Sequence, residues 1–250
     1  MKSINMKYLA GGPIERVKPL PPYDEKICTF LAELSKKLQK DRRAMAYPDV
    51  LSFAFFCRKA NIAKLKAEFE DGNTRLGRGL AFHIAPSNVP VNAAFTYVFG
   101  LLAGNANVVR VSSKDFEQVR IICDVIQTMF DSGNYDEIRD MTAFVSYGRS
   151  QEINDELSLM ANARIIWGGD ATIAEIRKSP IGSRCTELTF ADRYSFGILN
   201  PMKIADDSEE EVKRLAEQFY NDTYLMDQNA CSTPHLILWK SDKSSKAEEG

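Results

Sequence analysis

Histidine is scarce in this 250-residue chain, which has two, His83 and His235. The five cysteines (Cys28, Cys57, Cys123, Cys185 and Cys231) stand at unrelated spacings with no CxxC pair. Together these absences argue against a structural zinc site and for reduced thiols, most of them small core residues. No uncharged apolar run approaches the roughly 18 residues expected of a membrane span. The N-terminal stretch has no apolar segment closed by a small-residue cleavage site, so the expected location is the cytoplasm. Net charge is also nearly missing, −2 from 32 basic and 34 acidic residues, which removes any overall electrostatic case for nucleic acid or an anionic membrane. There is no GxGxxG, so the usual dinucleotide fingerprint gives no support for nucleotide binding.

What is present is core material and an alternating texture. A hydrophobic fraction of 44% allows one large α/β domain or two small ones. Between residues 23 and 69 apolar side chains recur at helical spacing: Ile27, Phe30, Leu31, Leu34 and Leu38, then Leu51, Phe53, Phe55, Phe56 and Ile62 after Pro48. Beyond the turn-prone Asp71-Gly72-Asn73, short apolar runs alternate with helical stretches: strand 79–84, helix 91–102, strand 107–111 and helix 115–130 make a βαβ unit. Strands over 143–146 and 164–167 flank an amphipathic helix over 151–160, and a further helix starts near Asp170. A strand over 194–199 and a helix over 207–224 follow; the acidic start of that helix suits its N-terminal dipole. The expected fold class is α/β, a Rossmann-like parallel sheet with helices on both faces preceded by N-terminal helices. This texture sets off a helical segment over 1–70, an α/β domain over 71–225 and a short final segment over 226–250 with a polar tail from Lys240.

Cys231 stands in Asp227-Gln228-Asn229-Ala230-Cys231-Ser232-Thr233-Pro234-His235, a polar stretch ahead of the apolar run from Leu236 to Trp239. A cysteine at the mouth of a strand is a candidate nucleophile, against the bland alternative of a buried hydrophobe. Upstream, Asn88 in Pro86-Ser87-Asn88-Val89-Pro90 offers an amide to a developing oxyanion, against the bland alternative of a turn residue. If 232–239 runs as a strand, His235 is too far along it to pair with Cys231, which disfavours a Cys-His hydrolase.

In order along the chain, Pro86-Ser87-Asn88-Val89-Pro90, Gly104-Asn105-Ala106-Asn107-Val108-Val109-Arg110-Val111-Ser112 and the Cys231 segment resemble the aldehyde dehydrogenase superfamily. The resemblance covers about residues 75–239 and is nearest to the acyl-CoA reductase branch, the fatty-acyl reductases of bacterial bioluminescence. It implies an aldehyde dehydrogenase-like cofactor domain, an acyl-cysteine at Cys231, and an oxyanion held by Asn88 and the Cys231 backbone N–H. It implies cofactor contacts from Pro86 and Ser87, and from Gly168 and Gly169 at a strand-to-helix turn. Where the superfamily usually has Lys then Pro-Ser-Glu, this chain has Arg110, Val111, Ser112, Ser113 and Lys114. Losing the acidic residue and gaining Arg110, Ser112, Ser113 and Lys114 suits a ribose 2′-phosphate, and so NADPH over NADH. Glu187 matches the glutamate that activates water in hydrolytic members; here it is left to assist thiol deprotonation or to face solvent. Trp167, Phe190 and Tyr194 line an acyl tunnel or belong to the core.

The reaction implied is reduction of a fatty acyl-CoA or acyl-protein thioester to a fatty aldehyde, with an acyl-protein synthetase as partner and an oligomer in the full-length form. The superfamily's catalytic domain continues well past the cysteine, whereas this chain stops soon after Trp239. The expectation is therefore a fragment with weak NADPH binding and little turnover of its own. Two other readings are a non-catalytic nucleotide-binding or interaction module and a cofactor-free cysteine acyltransferase.

Overall fold

The computed structural model describes residues 6–224, 228 and 230–240; Asp227, Asn229 and the polar tail beyond Lys240 lie outside them. The chain divides into two compact units, Met1–Ala191 and Asp192–Gly250.

In the first unit, strand β1 (Lys7–Gly11) precedes three helices, α1 (Glu25–Lys40), α2 (Pro48–Phe56) and α3 (Lys59–Phe69). The Asp24 carboxylate caps α1 by accepting from the Lys26 amide at 2.9 Å, and Pro48, which has no N–H to lose, opens α2. Ile27, Phe30, Leu31, Leu34 and Leu38 of α1, spaced for one helical face, are all fully buried. Then β2 (Leu80–Ile84), α4 (Asn92–Leu102), β3 (Ala106–Arg110), α5 (Glu117–Asp131), the short α6 (Asp136–Arg139), β4 (Thr142–Ser146), α7 (Gln151–Met160), β5 (Ala163–Trp167), α8 (Asp170–Ile176) and β6 (Thr186–Phe190) alternate.

These strands form a six-stranded sheet in the order β1-β4-β3-β2-β5-β6, parallel throughout except for antiparallel β1 at the edge. Counted from β2, the parallel strands run 3-2-1-4-5, the winding of a dinucleotide-binding half whose direction reverses between β2 and β5. One face packs α4 and α5, with α1 to α3 outside them, in a single core holding Phe30, Tyr97, Phe130 and Phe144. The other face packs α7 and α8 through Ile153, Leu157, Ile173 and Ile176 against Phe82, Val108 and Val145. Strand alternation sends Val108 to one core and its neighbour Val109 to the other.

The expected α/β fold is the one observed, with boundaries shifted by one or two residues. Periodicity marks neither β1 nor β6: each is five residues long, β1 is bulged between Tyr8 and Ala10, and β6 is half polar. In the second unit, β7 (Ser195–Leu199) pairs in parallel with β8 (Pro234–Trp239), and α9 (Pro201–Ala205) and α10 (Glu209–Tyr224) lie between them in sequence. No helix among the described residues is long and apolar enough to cross a membrane.

Candidate nucleotide site and nucleophile

In a doubly wound sheet, ligands lie beyond the carboxyl ends of the strands, where the winding reverses. Register places Ile84, Arg110, Val145 and Ile166 in one row across β2, β3, β4 and β5, so the loops leaving those strands share one edge. Pro86, Ser87 and Asn88 follow β2; Arg110 ends β3 and leads to Ser112, Ser113 and Lys114; Gly168 and Gly169 follow β5. All the expected cofactor residues are therefore brought to the carboxyl edge of one sheet, together with Asn88.

Arg110 is half-buried, with its guanidinium 4.6 Å from the centre of the Tyr147 ring. The Tyr147 hydroxyl in turn donates to the Asn154 side-chain amide oxygen Oδ1 at 2.9 Å. Beside them lies a cleft of about 510 Å³, lined by Arg110, Arg149, Ser150, Gln151 and Asn154 on one side and Ala171, Thr172, Glu175 and Ile176 of α8 on the other. Arg149 is exposed. It was not among the expected residues; its signal was position alone, in Tyr147-Gly148-Arg149-Ser150 where β4 gives way to α7. Ser113 and Lys114 are exposed, and the Ser112 hydroxyl accepts from the Lys114 amide at 3.1 Å, which shapes this loop.

Gly168 donates to the Phe190 carbonyl at 3.1 Å, and a Cβ there would meet the Thr172 side chain at 3.0 Å. A glycine suits that close approach of strand end to helix start. Trp167 stacks on Phe190 with ring centres 3.9 Å apart, and its indole N–H donates to the Thr96 hydroxyl at 3.3 Å. Thr96 in turn meets His83 Nδ1 at 2.7 Å, and His83 Nε2 meets the Asn107 amide oxygen at 3.0 Å. This buried polar chain under the edge also escaped the sequence, because one histidine in an apolar strand carries no periodic mark.

The second member of the Gly104-Asn105-Ala106-Asn107 motif has a structural task. The Asn105 side-chain oxygen accepts from the amides of Arg78 and Gly79 at 2.7 and 3.2 Å, tying the entry of β2 to that of β3.

Glu187 is the second residue of β6, near the end of the sheet away from that edge. Its Oε2 accepts from Arg164 Nε at 2.8 Å and also from Nη2, while Oε1 accepts from Arg177 Nε at 2.7 Å. Burial pushes this carboxyl up, but the bonds from Arg177 and Arg164 outweigh it and hold the proton affinity below the ordinary glutamate value.

Cys231 belongs to the second unit, in the turn that enters β8, and it is the exposed one of the five cysteines. Its carbonyl accepts from the Ser195 hydroxyl at 2.7 Å, which anchors the turn to the start of β7. Burial pushes the Cys57 thiol up to about 12 and raises Cys123, Cys28 and Cys185 as well. His235 stacks on Tyr194 at 5.3 Å, both in the second unit. Asn88 lies in the first unit and Cys231 in the second.

A parallel sheet wound 3-2-1-4-5 with its loops gathered at one edge defines a Rossmann-like domain. Solved structures agree on the fold. A betaine aldehyde dehydrogenase from Staphylococcus aureus superposes with a TM-score of 0.61 at 16% identity over 86% of this chain and 46% of that one. An NADP-dependent glyceraldehyde-3-phosphate dehydrogenase from Bacillus halodurans, complexed with NADP, gives 0.57 at 17% identity over 85% of this chain and 48% of its own. Within that class the chain belongs to the acyl-CoA reductase (LuxC) family, whose profile matches residues 7–249. It is 25% identical over 169 residues to a long-chain acyl-protein thioester reductase of Vibrio harveyi, covering 66% of this chain and 33% of that protein. The chain thus spans about a third of this relative and just under half of the two solved structures.

Proposed function

We propose that this chain carries the nucleotide site and the nucleophile of an NADPH-dependent reductase that converts a long-chain fatty acyl thioester into a fatty aldehyde. The observation that carries the reading is that Arg110 and Arg149 both line one cleft, closed on its other side by α8, the helix that follows β5. Family membership and the likeness to an acyl-protein thioester reductase support the acyl substrate.

The cleft suits a nicotinamide dinucleotide bearing a 2′-phosphate. Its volume accepts part of a nucleotide, its two guanidiniums can each offer N–H donors to a phosphate, and its acidic lining residue, Glu175, is paired with Lys178 at 2.5 Å. When bound, the cofactor supplies hydride to the acyl carbon. The chain's own residues do the rest. The Cys231 thiolate attacks the acyl carbonyl, the new C–S bond replaces the bond to the carrier sulfur, and the carrier leaves as a thiolate. In this reading the Asn88 amide and the Cys231 backbone N–H hold the oxyanion. Collapse at the aldehyde level breaks the C–S bond and restores the thiolate for the next cycle.

The test combines melting with and without nucleotide and labelling of Cys231 by an electrophilic acyl thioester analogue. NADPH should raise the melting temperature more than NADH at equal concentration, with the difference lost in Arg149→Ala and Arg110→Ala. Losing one charge-assisted contact should weaken NADPH by roughly tenfold or more. Label should enter wild type and not Cys231→Ala. Equal stabilisation by both nucleotides would sink the NADPH assignment. Nucleotide binding without labelling would favour a non-catalytic module, and labelling without nucleotide binding a cofactor-free acyltransferase.

A further inference from the structure

We propose that Glu187, Arg164 and Arg177 form a clamp that fixes α8, and with it one wall of the nucleotide cleft, so that Glu187 is a positioning residue and not a base. The inference rests on reading that cleft as the nucleotide site.

Arg164 is the centre of the clamp. Its side chain is 2% exposed, which puts a permanent cation inside the protein and demands a partner for each of its donors. Nε and Nη2 are taken by Glu187. Nη1 reaches the Ser158 hydroxyl of α7 at 3.0 Å, the Ile176 carbonyl at 3.3 Å and the Ser179 carbonyl at 2.8 Å. Ile176 is the last residue of α8, where carbonyls lack helical partners and the dipole favours a cation, so the guanidinium caps that helix from below.

Glu187 closes the arrangement. Arg164 and Glu187 are register partners on β5 and β6, and the other carboxylate oxygen grips Arg177, the residue that follows Ile176. One carboxylate thereby joins the sheet to the far end of α8 through two cations. The same helix presents Ala171, Thr172 and Glu175 to the cleft opposite Arg110 and Arg149, so a shift of α8 changes the width of the cleft. Guanidinium donors take three of the roughly four acceptor positions of this carboxylate, and its proton affinity is lowered, both of which disfavour its taking a proton from another group.

The experiment compares wild type with Glu187→Gln and with Arg177→Gln, the second chosen because Arg177 is 56% exposed and its loss leaves the buried pair intact. Three quantities are read: amide hydrogen exchange across residues 170–179, the NADPH dissociation constant, and the rate of acyl labelling at Cys231. Exchange in α8 should accelerate by roughly tenfold or more in Glu187→Gln and about two- to fivefold in Arg177→Gln, while β2 and β3 stay protected. NADPH should weaken severalfold in both, and labelling should stay within about twofold of wild type. Unchanged α8 exchange would overturn the clamp, and faster exchange with unchanged NADPH affinity would overturn its positioning role. A large fall in labelling in a folded Glu187→Gln protein would make Glu187 a base. If wild type itself fails to bind NADPH, the reading of the cleft is what fails, and the exchange arm still decides whether the clamp holds α8. Should Glu187→Gln not fold, Arg177→Gln carries the same comparison.

Discussion

His83 lies in the middle of β2 at 2% exposure, with both ring nitrogens engaged. Burial pushes it down to about 4, against the bond to Asn107, which favours the charged form. Between the ordinary histidine value and that figure, the unfolded chain binds a proton that the folded chain refuses, so stability rises with pH across this window. The amount at stake is on the order of 3 kcal/mol. Urea unfolding should therefore show a lower free energy at pH 4.5 than at pH 7, with the difference largely removed in His83→Gln. Glu187 acts in another window: its lowered value gives stability present above the ordinary glutamate range and lost only as pH falls below it. A pH 4.5 to 7 profile that is identical in His83→Gln would show that the imidazole does not carry this dependence.

Asn88 and Cys231 stood out as candidates because each is a polar group in a loop next to an apolar run, Asn88 after β2 and Cys231 ahead of β8. Asn88→Ala should slow acylation of Cys231 by roughly 10²- to 10³-fold if its amide holds the oxyanion, measured as the rate of label entry at saturating analogue. A rate equal to wild type would leave Asn88 a turn residue. The surroundings of Glu187 were not legible in this way. Arg164 is 23 positions away, and only the pairing of β5 with β6 makes them neighbours.

At the scale of elements, the helices of the first seventy residues and the central strands could be read directly, because one buried face in a helix and a fully buried strand both leave periodic marks. β1 and β6 left none, since these edge strands are only partly buried, β1 is bulged, and their places come from pairing across the sheet. The turn from α4 to β3 depends on a glycine. Gly104 has φ +78°, its amide donates to the Leu101 carbonyl at 2.7 Å, and a Cβ there would come within 2.0 Å of the Leu20 carbonyl oxygen. An L-residue meets both a disfavoured backbone region and a backbone clash that no rotamer relieves. Gly104→Ala should cost about 2 kcal/mol or more, seen as a lower urea midpoint with an unchanged slope. An unshifted midpoint would mean that the Leu20 segment gives way freely.

At the scale of the molecule, the core is unevenly distributed. Every buried apolar side chain among the described residues, from Ala10 to Ile176, falls within Met1–Ala191. The second unit buries Thr223 and Thr233, while Phe196, Ile198, Leu236 and Leu238 of its two strands are exposed. Burial of apolar surface is the main favourable term in folding, so the cooperative free energy of this chain should reside in the first unit. A polypeptide of residues 1–191 should then unfold in a single transition with a melting temperature within about 5 °C of the whole chain. Because the Arg110 and Arg149 cleft is built entirely from that unit, NADPH should stabilise the shorter polypeptide as much as the whole chain, although the nucleophile is gone. Scanning calorimetry of both, with and without NADPH, checks this. A shorter polypeptide that melts far lower, or that folds but loses its response to NADPH, would mean that residues 192–250 contribute to the core or to the site more than their burial indicates.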